Sequence, residues 1–385
     1  MEASKKIKIL HIITGLGYGG AENNLLNLIR EIDKTKFELH VVSLNGEGYI
    51  GEKILNLNIP LNSYQANKSG FFLFKLFNLA FIMIKIIKLI KRIKPDLIQT
   101  WLHHADLIGF LCAFFTGHKK LIWSVRCSDL KKGYISSKNR YLVKILSFFS
   151  YYPIVILFNS QAGIKAHLKI GYKPKKYQCI FNGIDTSRFK PDLDQKYKTK
   201  NELKILNNDQ TIGFVGKDQN IKDIETFLYC IQEVQKHLPD INVVMIGENL
   251  SNNNKNLLNS INELKLQNIK LIGLKNNIEN YMQVFDIMIS TSLSEGFPNV
   301  LAEAMSCGVP CISTDVGDVR NIINDNNQIH EVKNYKAISS SCIKILLMNK
   351  EEKKKLNEIS RKRIVDKFDI LSITKHYEVF YQGLV

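Results

Sequence analysis

The chain has no long apolar run that is free of charge. Its most apolar stretch, "GFFLFKLFNLAFIMIKIIKLIKRIK" (70–94), is long enough to cross a bilayer but is interrupted by Lys75, Lys85 and Lys88. That disfavours a membrane span and leaves two readings. One is a helix packed on a sheet; the other is the same helix with lysines that snorkel from an apolar face toward lipid. A secretory leader is not expected either. "MEASKKIKILHIITGLG" is basic and then apolar, but the apolar run is short and enters a glycine turn, as a first buried strand would. The seven cysteines are odd in number and scattered. Cys307 and Cys311 lie close together, yet one ends a helical pattern and the other begins a strand, with no second pair nearby. They read as reduced core thiols of a cytosolic protein, with neither a disulfide framework nor a metal site. Acidic residues are in deficit, 36 against 53 Lys and Arg, for a formal charge of +17. A bias toward Lys, Asn and Ile can inflate charge by itself. Otherwise the partners are an acidic membrane surface, nucleic acid or an anionic substrate, and no nucleic-acid motif supports the second.

At 385 residues the chain exceeds one ordinary core, and strands alternate with helices throughout. "KIKILHII", "FELHVVSL", "DLIQTW", "KLIWSVR" and "PIVILFNS" read as strands of a first half. "QTIGFVG", "INVVMIG", "NIKLIG", "FDIMIST" and "VPCISTD" read as those of a second. Between them lies a polar, helix-poor stretch from Pro191 to Asp209, the best linker candidate. The expected class is α/β, two Rossmann-like domains facing across a cleft. The boundaries fall at 1–192 for the first domain, 193–208 for the linker and 209–364 for the second domain. A terminal helix over 365–385 is expected to cross back to the first domain.

The most informative segment is "SEGFPNVLAEAMSCGVPCISTDVGD" (294–318), where Glu295 and Glu303 bracket a Gly-Phe-Pro-Asn turn. A buried strand precedes it. Pro298 suits a first helical position, where its missing N–H costs nothing, and the helix stops at Gly308 before the next strand. A helix therefore opens at the C-terminal edge of a parallel sheet, where ligands bind. Backbone N–H groups at Asn299 and Val300 would face an anion there. A phosphate flanked by two hydroxyl-binding carboxylates resembles a sugar nucleotide. "GFVGKDQNIKD" adds Lys217 and Lys222 at the same edge, cations able to clamp a diphosphate. His103 and His104 in "QTWLHHADLIG" follow a strand of the first half. The glycine loop "GLGYGGAENN" (15–24) invites a dinucleotide reading, but the second strand ends without the acid that would hold a ribose. A nicotinamide oxidoreductase is the lesser alternative.

Together these motifs, with "WSVRCSD", "FNSQAGIKAH" and "FNGIDTSRF", resemble the retaining GT-B glycosyltransferases of family GT4, especially bacterial enzymes of capsule, O-antigen and exopolysaccharide assembly. The resemblance covers nearly the whole chain, and the glutamate–seven–glutamate segment is its most specific part. It implies a metal-independent hexosyl- or N-acetylhexosaminyltransferase. The donor would be a nucleotide sugar, UDP-linked, as substrate, with no cofactor and no nucleic-acid partner. The acceptor would be lipid-linked or a saccharide, at the inner face of the cell membrane, whose anionic surface the cytoplasmic enzyme would contact peripherally. By the same resemblance Glu295, His104 and Lys222 are catalytic. Glu295 would contact sugar hydroxyls and Glu303 the ribose. Gly296, Phe297, Asn299 and Val300 would line sugar and diphosphate with backbone groups, and Lys222 would bind the diphosphate. Gly17 and Gly20 would let diphosphate and acceptor approach. Arg126 and His103 are acceptor or cleft contacts. Lys217 stands where an arginine is usual, keeping charge but losing bidentate geometry. "DNNQIHEV" (325–332) departs from a glycine-containing turn. A catalytically degenerate GT-B scaffold that binds a partner or membrane is the alternative from another class.

Overall fold

The computed structural model describes residues 5–17, 19–66, 72–128, 130 and 136–385. Tyr18, Gly70, Phe71, Asp129 and the side chain of Lys75 fall outside the described residues, so the sequence readings placed on them stand apart. The chain divides into two compact units, 1–183 with 370–385, and 184–369.

The first unit is built on a seven-stranded sheet: β1 (Ile7–Ile13), β2 (Phe37–Ser43), β3 (Leu61–Ser63), β4 (Leu97–Trp101), β5 (Leu121–Val125), β6 (Val155–Phe158) and β7 (Tyr177–Cys179). Their order is β3-β2-β1-β4-β5-β6-β7, and every pairing is parallel. Helices cover both faces, so the central strands are apolar on both. Ile9 and Ile13 enter one core cluster, while Leu10 and Ile12 enter the other. The chain winds outward from β1 to β3 and then from β4 to β7, so the winding reverses between β1 and β4. In parallel sheets the loops that follow the two strands flanking such a reversal are where ligands bind.

The second unit repeats this plan with β8 (Thr211–Val215), β9 (Asn242–Ile246), β10 (Ile269–Gly273), β11 (Ile287–Ser290), β12 (Cys311–Thr314) and β13 (Ile329–His330). The order is β10-β9-β8-β11-β12-β13, again parallel, with its reversal between β8 and β11. "DNNQIHEV" is a 3₁₀ turn at Asn326–Gln328 leading into β13.

The stretch 193–208, expected as a linker, instead lies inside the second unit and carries a helix, Leu193–Glu202. Asp192 caps it by accepting from the Gln195 N–H at 2.9 Å. Lys200 then holds the exit: its buried ammonium donates to the carbonyls of Leu206 (3.3 Å), Asn207 (2.9 Å) and Asp209 (2.6 Å). One lysine with three carbonyl partners turns a polar segment into ordered structure, which composition alone does not reveal.

The last helix, Ile370–Gln382, belongs to the first unit. Ile373, Tyr377 and Tyr381 join the core cluster that holds Trp101 and Leu157. The Tyr381 hydroxyl donates to Gln99 Oε1 inside that core. Arg126 donates to Tyr377 Oη at 2.7 Å and to Asn182 Oδ1 at 2.8 Å, with its guanidinium 4.4 Å above the Trp101 ring. Its partners are therefore those of a rivet for this helix. Tyr381→Ala should destabilise the protein by about 3–5 kcal/mol, and Tyr381→Phe by about 1 kcal/mol. Chemical denaturation of the two variants checks this; equal losses would show that the ring, not the hydrogen bond, is irrelevant to docking.

Candidate active site

The second unit's reversal point is formed by two loops, 216–223 after β8 and 291–298 after β11. They are stitched together by backbone. The Leu293 N–H donates to Ile221 O at 2.8 Å, and Thr291 Oγ1 donates to the carbonyls of Lys222 (3.0 Å) and Asp223 (2.9 Å). Asp223 takes a left-handed conformation (φ 47°) and caps the helix Ile224–His237 through Thr226. Lys222 is thereby fixed just before a helix, and Glu295 just after a strand. The Lys222 ammonium donates to Glu295 Oε1 at 2.5 Å, and Ser292 Oγ donates to the same oxygen at 2.8 Å. Both charged side chains are largely buried, at 21% and 15% exposure.

A third loop closes on this pair. Gly317 has φ +58°, and a Cβ there would lie 2.4 Å from Glu295 O and 2.5 Å from Gly296 O. The neighbouring Asp318 N–H donates to Gly296 O at 2.9 Å. Only glycine satisfies both the left-handed turn and the close approach.

The following helix is Asn299–Ser306, with Pro298 as its N-cap residue instead of its first helical one, and no side chain caps its amino end. Its partial positive charge faces the same edge as Lys222. Phe297 is buried against Phe368, ring centroids 5.3 Å apart, so only its backbone is offered to a ligand. Glu303, one turn in, is partly buried. Desolvation pushes its carboxyl up to about 7, against the pull of Arg188 and with the push of Glu279. Arg188 donates to Glu279 Oε2 at 2.7 Å and to Asn276 O at 3.1 Å. Arg188 and Glu279 were not singled out from the sequence, although Arg188 closes the motif "FNGIDTSRF". Lys217 is half-exposed and paired with Glu248 at 2.9 Å, so the expected two-lysine clamp rests on Lys222.

In the first unit the reversal-point loop 14–19 holds Gly17, exposed and with open space where a Cβ would stand. Gly20 is the exposed first residue of the helix Gly20–Glu31. A Cβ on Gly48 would meet Leu16 O at 2.4 Å, so this glycine lets the loop settle on the helix behind it. After β4, Leu102 adopts φ 74°, an unusual value for leucine, and turns the chain into the helix His103–Thr116. The two histidines part there. His103 is buried, its Nε2 3.2 Å from His167 Nε2, and burial pushes it down to about 3. His167 Nδ1 donates to Gly163 O at 2.9 Å, which leaves its Nε2 as acceptor for His103. His104 is exposed at the strand end, lowered by partial burial alone. Asp106 is fully buried, accepts from Thr100 Oγ1, and is pushed well above the usual carboxylate range by burial.

Two family models match these two units. "Glycosyltransferase Family 4" matches residues 18–188, and "Glycosyl transferases group 1" matches 195–363. The chain belongs to the GT4-type GT-B glycosyltransferases. The Staphylococcus aureus capsular polysaccharide biosynthesis glycosyltransferase CapH is 25% identical over 317 residues, 80% of this chain and 82% of that one. A Campylobacter jejuni 4-alpha-N-acetylgalactosaminyltransferase, whose name specifies a diphospho-undecaprenol acceptor, is 26% identical over 79% of each chain. Among solved structures, Anabaena HepE in complex with UDP-glucose superposes with a TM-score of 0.82, over 98% of this chain and all of that one. At 20% identity that likeness establishes the fold. Among the described residues of the glycosyltransferase, no group of three or more His, Cys, Asp or Glu could hold a metal ion.

Because Glu303 in the fold holds its proton to about pH 7, well above the value of a free glutamate, its stabilising effect is complete at acid pH and is lost as pH rises through about 7. Glu303→Gln should therefore gain stability relative to the parent between about pH 5 and 8, by roughly 2–3 kcal/mol. Thermal unfolding of both across that range tests this, and a pH-independent difference would show the carboxyl to be solvated.

Proposed function

We propose that the glycosyltransferase moves a sugar from a UDP-linked donor to a lipid-linked or saccharide acceptor in surface polysaccharide assembly, with retention of anomeric configuration and without a metal. The observation that carries this reading is the Lys222–Glu295 couple, held at 2.5 Å where the second unit's winding reverses. The relatives support it. Besides the capsular and diphospho-undecaprenol enzymes, an Escherichia coli relative, 22% identical over 79% of each chain, is named as a UDP-Gal:alpha-D-GlcNAc-diphosphoundecaprenol alpha-1,3-galactosyltransferase.

In this reading a diphosphate takes over the Lys222 ammonium that Glu295 occupies without donor, and Glu295 turns its freed oxygen to sugar hydroxyls. The uncapped helix at Asn299 adds its dipole to the same phosphates, with backbone at Gly296 and Val300 alongside. Glu303 takes the ribose hydroxyls, its ionised form being the better acceptor of two hydrogen bonds. His104 is assigned to the reacting sugar. The bond between the anomeric carbon and the leaving phosphate breaks as the acceptor oxygen bonds to the same face. The acceptor's proton passes to the departing phosphate oxygen, so no protein nucleophile is required. Lys222 and the helix dipole stabilise the charge that develops on the diphosphate. Loss of one such donor commonly costs about 100-fold in rate.

A thermal-shift panel of nucleoside diphosphates and nucleotide sugars tests the donor site. A true donor at about a hundred times its Kd should stabilise the protein by roughly 2.7 kcal/mol. The shift should appear with one base only and vanish in Lys222→Ala and Glu303→Ala. A folded parent that responds to none of them, or variants that respond like the parent, would sink the reading.

A further inference from the structure

The motif "FNSQAGIKAH" belongs to the first unit, and none of the groups assigned to the donor comes from it. Its physical content is one short helix, Gln161–Lys169, that holds a histidine still. Ser160 caps this helix by accepting from the Gly163 N–H at 3.0 Å. The Gly163 carbonyl, one turn before His167, receives the His167 Nδ1–H at 2.9 Å. Phe158 and Tyr172 flank the ring at 5.6 and 4.9 Å between centroids. The Tyr172 N–H also donates to His167 O at 3.1 Å. The spacing of serine, glycine and histidine thus fixes an imidazole whose Nε2 lone pair faces one direction.

That lone pair meets the His103 Nε2–H at 3.2 Å, with the two rings 5.5 Å apart between centroids. His103 opens the helix His103–Thr116, whose amino end no side chain caps. It follows Leu102, whose φ of 74° and ψ of 153° strain any residue that carries a Cβ. Local preference therefore does not define this turn; its contacts do. The Ala105 N–H donates to Thr14 Oγ1 at 3.3 Å, and Asp106 accepts from Thr100 Oγ1. Of the first four helical residues, His103, Ala105 and Asp106 are buried and bonded in this way, and His104 alone is exposed. Its place is set by the neighbours on either side.

We propose that the His103–His167 bond is a positioning device for His104. It fixes the rotation of the first helical turn, and with it the direction in which the His104 imidazole leaves the strand end. This rests on the reading that assigns His104 to the reacting sugar. Packing alone does not call for two imidazoles here, because an apolar pair of the same shape would fill the space at little cost. What a hydrogen bond adds is direction. Burial pushes His103 down to about 3 and His167 down to about 4, so both rings stay neutral near pH 7 and one donor always faces one acceptor. A group displaced by about 1 Å from its reacting partner can lose about 100-fold in rate, so a bond remote from the chemistry has leverage on it.

The experiment compares variants of the full chain by steady-state kinetics and histidine NMR. His167→Phe keeps a ring and removes the acceptor; His167→Gln places an amide oxygen within reach of the Nε2 position. His167→Phe should lower kcat about tenfold or more with the donor KM within about twofold of the parent, and His167→Gln should recover most of that loss. His103→Phe removes the same bond from the other side, and the double phenylalanine variant should lose no more than either single one. The His104 ring, identified by the signal missing from His104→Gln, should titrate closer to an ordinary histidine in His167→Phe, because partial burial lowers it in the parent. Unchanged kcat together with an unchanged His104 titration in the phenylalanine variants overturns the proposal. So does a folded glutamine variant as slow as the phenylalanine one, which would make the pair core packing alone. The titration uses no substrate, so it tests the positioning even where transfer from a UDP-linked donor fails. Donor thermal shifts, which rest on residues of the second unit, should be the same in every variant.

Discussion

A parallel strand must be re-entered from the same end, so the helices that connect consecutive strands of a sheet run back against the strand before them. All β-to-α loops then emerge at one edge, and where the winding reverses two of them diverge and leave space. In the second unit the reversal falls between β8 and β11, and there the two loops are bonded to each other. Everything assigned to the donor follows from that meeting. Lys222 ends one loop, Glu295 sits in the other, and Gly317 comes from the next loop along the sheet to press on the Glu295 carbonyl. Lengthening any loop would separate groups that have no local reason to meet.

Holding charge at such an edge is costly unless each charge has a partner. The structure answers with two cation–carboxylate groups of different character. Lys222 and Glu295 are matched one to one, with Ser292 satisfying the carboxylate further. Around Glu303 one cation faces two acids, and its short contact is to Glu279. Glu303 is left with the long-range remainder of Arg188's field, too little to offset burial, so its carboxyl rises to about 7. The first group is a close lysine–carboxylate contact; the second is a carboxyl whose charge state is poised near neutrality.

The alternating strands, the two-unit plan and the Glu295–Glu303 segment were legible in the sequence, because each is written in neighbouring residues. A strand is a run of β-branched side chains, and the helix after Pro298 is a few good helix formers between a turn and a glycine. What was not legible depends on partners far along the chain. Arg188 reaches Glu279, Arg126 reaches Tyr377, and His103 meets His167. None of these separations has a local signature. The helix at 193–202 was hidden for a related reason: its stability comes from one aspartate cap and one lysine hook within a stretch whose composition is that of a loop. His103 and His104 are adjacent in sequence, and the one that turns inward meets a partner 64 residues on, which no local pattern marks.

Lysine shows the same lesson in one residue type. Lys200 is buried with three carbonyl acceptors and acts as a structural hook. Lys222 meets a carboxylate that Ser292 also supports, in a place largely closed to water. Lys85 reaches over an exposed ring, where an ammonium keeps its hydration while its stem covers apolar surface. Lys217 pairs with an equally exposed glutamate, an arrangement that water and salt largely screen. The side chain is identical in all four. What separates buried hook, shielded ion pair, ring contact and solvated pair is the number and charge of acceptors within reach and how far water is kept away, so a count of lysines becomes informative only after each has been assigned its surroundings.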